Sequence, residues 1–143
     1  MKRITVVAVV VLVISCAALG QEKSELSFGV GLTTHGHADY KLTLVPFLVP
    51  GEMRTQVEFT GRHTQGLWGF VGGISIPLAH NLRIVPGMET GTLHEEYFVG
   101  LTTAVRYEPL HGLFLEASGA RLWVPTKHGE WEGSVAVGYS MKF

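Results

Sequence analysis

The run Trp131–Phe143, WEGSVAVGYSMKF, alternates apolar residues with small or polar ones up to its final position. Trp131, Val135, Val137, Tyr139, Met141 and Phe143 share one side, while Glu132, Ser134, Ala136, Gly138, Ser140 and Lys142 share the other. Period-two alternation of this length marks a strand whose two faces meet different surroundings. Working back from it, the same pattern recurs, broken each time by turn-forming residues.

Leu26, Phe28, Val30 and Leu32 alternate with Ser27, Gly29, Gly31 and Thr33 before the turn THGHAD. Tyr40, Leu42 and Leu44 form a second run that Pro46 interrupts, either ending the strand or kinking it, because proline has no ladder donor. Further strands are expected over Met53–Arg62, Leu67–Ile76, Leu82–Thr90 (weakened by Pro86), Glu96–Tyr107 and Leu113–Trp123. With the closing run these make eight strands, and strands of about 9 to 11 residues are long enough to cross a bilayer at a tilt.

The closing run, with Phe143 at its end and Tyr139 as the aromatic ahead of it, resembles the last strand of small outer-membrane β-barrel proteins of Gram-negative bacteria, the OmpA-like and porin-like superfamily. That resemblance implies an all-β, eight-stranded, antiparallel up-and-down transmembrane barrel in the cell outer membrane. Its implied partners are outer-membrane lipid and, through the C-terminal strand, the barrel-insertion machinery.

Composition agrees with such a barrel. Charged residues are 16% of the chain, below the roughly 25% of soluble domains, and glycine occurs 18 times. Lys2 and Arg3 precede an apolar run from Ile4 to Ile14, too short for a spanning helix, and small residues follow up to Gly20. Residues 1–20 therefore read as a cleaved signal peptide, with lipidation at Cys16 as the alternative, and 21–143 as the barrel. Loss of Lys2 and Arg3 leaves nine basic against twelve acidic residues, which argues against a nucleic-acid partner. The one cysteine departs with the leader, so neither a disulfide nor thiol chemistry is expected.

Alternation alone also fits a lipocalin-like soluble barrel with its apolar face inside. Two features favour the inverted arrangement. The polar face is rich in Gly, Ser, Ala and Thr, which suit a narrow lumen, and the aromatics Tyr40, Trp68, Tyr97, Tyr107, Trp123 and Trp131 collect at strand ends. On that arrangement Lys41, Arg54, Glu58, Arg62, Arg83, Glu89, Glu96, Arg106, Glu116 and Glu132 point inward, with Lys142 on the same side. In so narrow a lumen these charges pair into a plug or line a narrow channel for ions or small solutes. Arg106 and Glu116, on strands joined by a tight hairpin, are expected within diagonal reach of each other, with Arg83 near their level.

Histidine supplies the remaining pattern. His35, His37, His63, His94 and His128 all fall in connections at one end of the barrel, so they are candidate metal ligands or a pH-sensitive rim, although no ligand spacing stands out beyond His35-Gly36-His37. No cofactor is implied. Barrel enzymes that modify lipids are of similar size, yet a His and Ser two apart on a late strand are lacking and no serine occurs in an external loop. The expectation is a non-enzymatic barrel with a structural or surface-interaction role.

Overall fold

The structure, a computed structural model, describes residues 23–48, 55–125 and 129–142. The leader with Cys16, and Met53, Arg54, His128 and Phe143, lie outside the described residues. Eight strands follow in chain order: β1 (Lys23–Thr33), β2 (Ala38–Leu48), β3 (Gln56–Thr64), β4 (Leu67–Ala79), β5 (Leu82–Leu93), β6 (Glu96–Leu110), β7 (Leu113–Trp123) and β8 (Glu130–Lys142). Each is antiparallel to its neighbours, and β8 pairs with β1 from Glu25 against Lys142 to Thr33 against Ser134, so the sheet closes on itself.

The alternating residues take the sides that period two requires. Leu32, Met88, Leu101 and Val135 stand on the outer wall with 55–66% of their surface exposed, while Glu89, Arg106 and Glu116 inside retain 5% or less. This is the reverse of a water-soluble barrel, and it removes the lipocalin-like arrangement. The eight-stranded antiparallel barrel expected from the pattern is the fold observed.

Most strands run further than the pattern indicates. β2 continues through Pro46 to Leu48, with a register shift where Lys23 faces Leu48 and Glu25 faces Val45; Ser24 Oγ donates to the Pro46 carbonyl at 2.8 Å. β4 and β6 extend to Ala79 and Leu110, so the turns shrink to His80-Asn81 and His111-Gly112. Pro86 stays inside β5. Its ladder to β6 is continuous, whereas the ladder to β4 lacks the pairs between Gly73–Gly87 and Ile76–Ile84, so the missing amide is accommodated on the β4 side alone.

At the rim away from the start of β1, here the distal rim, the β1–β2, β3–β4 and β5–β6 hairpins turn within the described residues. Gly66 turns the β3–β4 hairpin at φ 75°, a region glycine enters without steric cost. His94 and Glu95 do the same for β5–β6 at φ 49° and 71°, which is uncommon for residues with a side chain. Tight turns in the described connections let the strands themselves, rather than loops, set the height of the inward side chains they join.

Candidate functional site: the charged lumen

Because inward positions of neighbouring strands lie side by side, the lumen is built in tiers. At the distal end, Leu67, Leu93, Phe98, Ala120, Leu122 and Val124 form an apolar cap, each 7% exposed or less. Below it, Arg62 reaches three acids: Asp39 from β2 (3.0 Å), Glu89 from β5 (3.5 Å) and Glu132 from β8, which it contacts closely. One guanidinium thereby ties together strands that are not neighbours in the sheet. Its planar fork of five donors suits this better than an ammonium would.

The middle tier centres on Lys41. Its ammonium donates to Glu116 Oε1 (2.9 Å), Ser118 Oγ (2.8 Å) and Ser134 Oγ (3.1 Å), which occupies its three donors, and Asp39 lies 3.6 Å away. The two serine hydroxyls are 2.8 Å apart. Glu116 is shared: its other oxygen accepts from Arg106 Nε at 2.9 Å and Nη2 at 2.6 Å. Arg106 and Glu116 are direct cross-strand partners, so their contact is closer than the diagonal one expected. Phe114 lies beneath Arg106, 4.4 Å from ring centroid to guanidinium carbon. Gly29 and Gly138 make room for this ring, since an added Cβ at either would press on Phe114.

Toward the other end, Arg83 pairs with Glu25 (3.2 Å) and approaches Glu58 (3.9 Å), although its direct cross-strand neighbour is Arg106. Ser27 and Ser140 hydroxyls meet at 2.8 Å across the β1–β8 seam, and Ser27 also donates to Glu25. A cavity of about 50 Å³ remains at mid-height. Lys41, Arg62, Glu116 and Glu132 bound it on one side and Val71, Val85, Thr102 and Ala104 on the other. Glu58 and Glu89 also face it, and one oxygen of each has no hydrogen-bond partner among the described residues. A polar space of this size holds a few waters.

Of the expected inward charges, Lys41, Glu58, Arg62, Arg83, Glu89, Arg106, Glu116 and Glu132 enter this network. Glu96, at the start of β6, sits half-buried at the distal mouth, Lys142 is exposed at the opposite rim, and Arg54 lies outside the described residues. Two members were missed. Glu25 precedes the first clear alternation, and Asp39 falls in the stretch THGHAD that reads as a turn; yet Asp39 has the parity of Lys41 and is fully buried. The apolar cap was missed as well. Parity carries that signal, because Phe98 is in step with Gly100 and Thr102, and Leu122 with Ser118 and Ala120.

The histidines do not gather. His35 and His37 sit in the β1–β2 turn and His94 in the β5–β6 turn, where its ring packs on Gly66. His63 is not in a connection but on the outer wall of β3, its ring 4.0 Å from that of Trp68 and 6.4 Å from that of Tyr40. Among the described residues no three His, Cys, Asp or Glu side chains converge in a way that could hold a metal ion.

No protein-family model matches the chain, and no curated protein matches it. Among solved structures, a transmembrane β-barrel designed de novo is similar over 85% of this chain and 98% of its own, with a TM-score of 0.56 at 11% identity. At that identity the likeness is one of fold.

Proposed function

We propose that this chain is a closed outer-membrane barrel with a structural or surface-interaction role in a bacterial envelope, and that it neither conducts ions nor catalyses a reaction. The membrane placement is supported by the apolar outer wall, by aromatics near both rims (Tyr40, Trp68, Tyr97, Trp123 and Trp131 distally, Tyr107 and Tyr139 at the other end), and by the resemblance of the closing strand. Water would solvate such a wall poorly; lipid would solvate it well.

The single observation that carries the closed reading is the stack of apolar cap over charge tiers, which crosses the lumen above and around the mid-height cavity. An eight-stranded barrel has an interior only wide enough for side chains to fill. Ser118 and Ser134 beside Lys41 resemble a nucleophile with a base only superficially, because the ammonium donates to both and the group lies below the cap. The tight β3–β4 and β5–β6 turns leave little surface at the distal rim for a large partner, which favours a structural role over adhesion.

Purified protein reconstituted in a planar lipid bilayer should show no steady conductance. A reproducible ohmic conductance would overturn the closed reading in favour of a narrow channel for ions or small solutes. The mid-height cavity with its two acids is the observation that favours that second reading.

A further inference from the structure

Among the described residues, the outer wall carries one charge near the distal rim. Every other charged residue from Glu25 to Glu132 that pairs in the sheet has inward parity, but Arg121, between the inward Ala120 and Leu122, has outward parity. Its guanidinium carbon lies 4.9 Å from the ring centre of Trp131, its cross-strand partner, and 5.7 Å from that of Trp123, two residues on. No carboxylate among the described residues forms an ion pair with it: Glu132, adjacent to Trp131, is turned inward to Arg62.

A lone cation on an apolar wall is tolerated near the interface and needs an anionic partner there. The two indoles fix the guanidinium by cation–π contact and leave its edge free for bidentate bonding to phosphate oxygens. Toward mid-wall, the next outward position on β7 is Gly119, which faces Gly133 of β8, followed by Ala117. A methyl group at Gly119 would meet nothing within 4 Å. The wall below Arg121 is thus a shallow trough over Gly119 and Ala117, edged by the Thr34 methyl group, which lies 3.0 Å from where a Cβ on Gly133 would stand, and by Val105 and Val135, the cross-strand partners of Ala117.

We propose that Arg121, held by Trp123 and Trp131, binds the phosphate of an anionic lipid headgroup, with the lipid's acyl chain lying along Gly119 and Ala117. The site rests on the membrane reading given above. Its occupant is a lipid rather than free phosphate, because the trough continues from the charge into the apolar wall.

The test uses the Trp68→Phe protein, in which Trp123 and Trp131 are the remaining tryptophans, in vesicles of phosphatidylcholine mixed with phosphatidylglycerol. Lipids brominated on the acyl chain quench a nearby indole, so each lipid in turn carries the bromine. Brominated phosphatidylglycerol should reach half-maximal quenching at about five-fold lower mole fraction than brominated phosphatidylcholine, the preference one basic side chain at an anionic surface supplies. Arg121→Gln should bring that ratio to one, Arg121→Lys should retain most of it, and added salt should lower it in the parent. A parental ratio of one, a ratio indifferent to salt, or an undiminished ratio in Arg121→Gln would overturn the site. Quenching by neither lipid would instead overturn the membrane reading, so the two failures are distinguishable.

Discussion

At the scale of single residues, Glu116 is the side chain on which most depends, because it accepts from Lys41 and Arg106 at once. Replacing a buried ion pair with apolar groups is often neutral, but removing one partner strands the other. Glu116→Ala strands Arg106 and leaves Lys41 with Asp39 as its one carboxylate, so it should destabilise the barrel by about 3 to 5 kcal/mol in urea titrations of the detergent-folded protein. A loss below about 1 kcal/mol would mean that the cations are already solvated, as in a wet lumen. Phe98 offers the complementary test. Phe98→Ala empties the apolar cap at a cost of about 3 to 5 kcal/mol, and it should admit current where the parent admits none. An unaltered, silent bilayer with a fully folded Phe98→Ala protein would show that the seal lies lower, among the charges.

Single strands and turns were largely legible in the sequence, and the reasons for the exceptions are physical. β7 is found where alternation puts it, at Leu113–Trp123, because turn residues border it on both sides. β2 runs past Pro46 because a bulge absorbs the proline, and a bulge leaves no mark on a period-two count. The lumen charges were readable by parity, but which acid each cation takes was not. Arg62 reaches Glu132 on β8 across the interior, and only the closed ring brings those two together. The β5–β6 turn gives a prediction at this scale. His94 and Glu95 both adopt positive φ, which costs a residue with a side chain about 1 to 2 kcal/mol, whereas Asn-Gly fits such a turn. The double change His94→Asn, Glu95→Gly should therefore raise stability by about 1 kcal/mol, read as a higher urea midpoint. The seam gives another. Deleting Ser140 to Phe143 removes the β8 partners of Ser27, Leu26 and Glu25, leaving backbone donors unpaired, and should cut the folded fraction recovered in lipid far more than changes in the 126–129 connection.

For the molecule as a whole, closure and inversion act together: charge is collected inside and the apolar wall outside. If the wall faces lipid, the folded protein should resist SDS at room temperature and migrate differently on a gel before and after boiling. A monodisperse protein soluble without detergent would contradict that. The pairing of β1 with β8 also governs how the chain acquires its shape. Every other pairing joins strands consecutive in the chain, but this one joins partners more than a hundred positions apart, such as Ser27 and Ser140. Contacts that distant are slow to form, because the entropy of bringing the ends together must be met before any bond rewards it. Until then the chain is an open ribbon with two raw edges, competent to stick to other copies of itself. Time spent in that state, more than the depth of the final energy minimum, sets how much of the chain matures and how much aggregates.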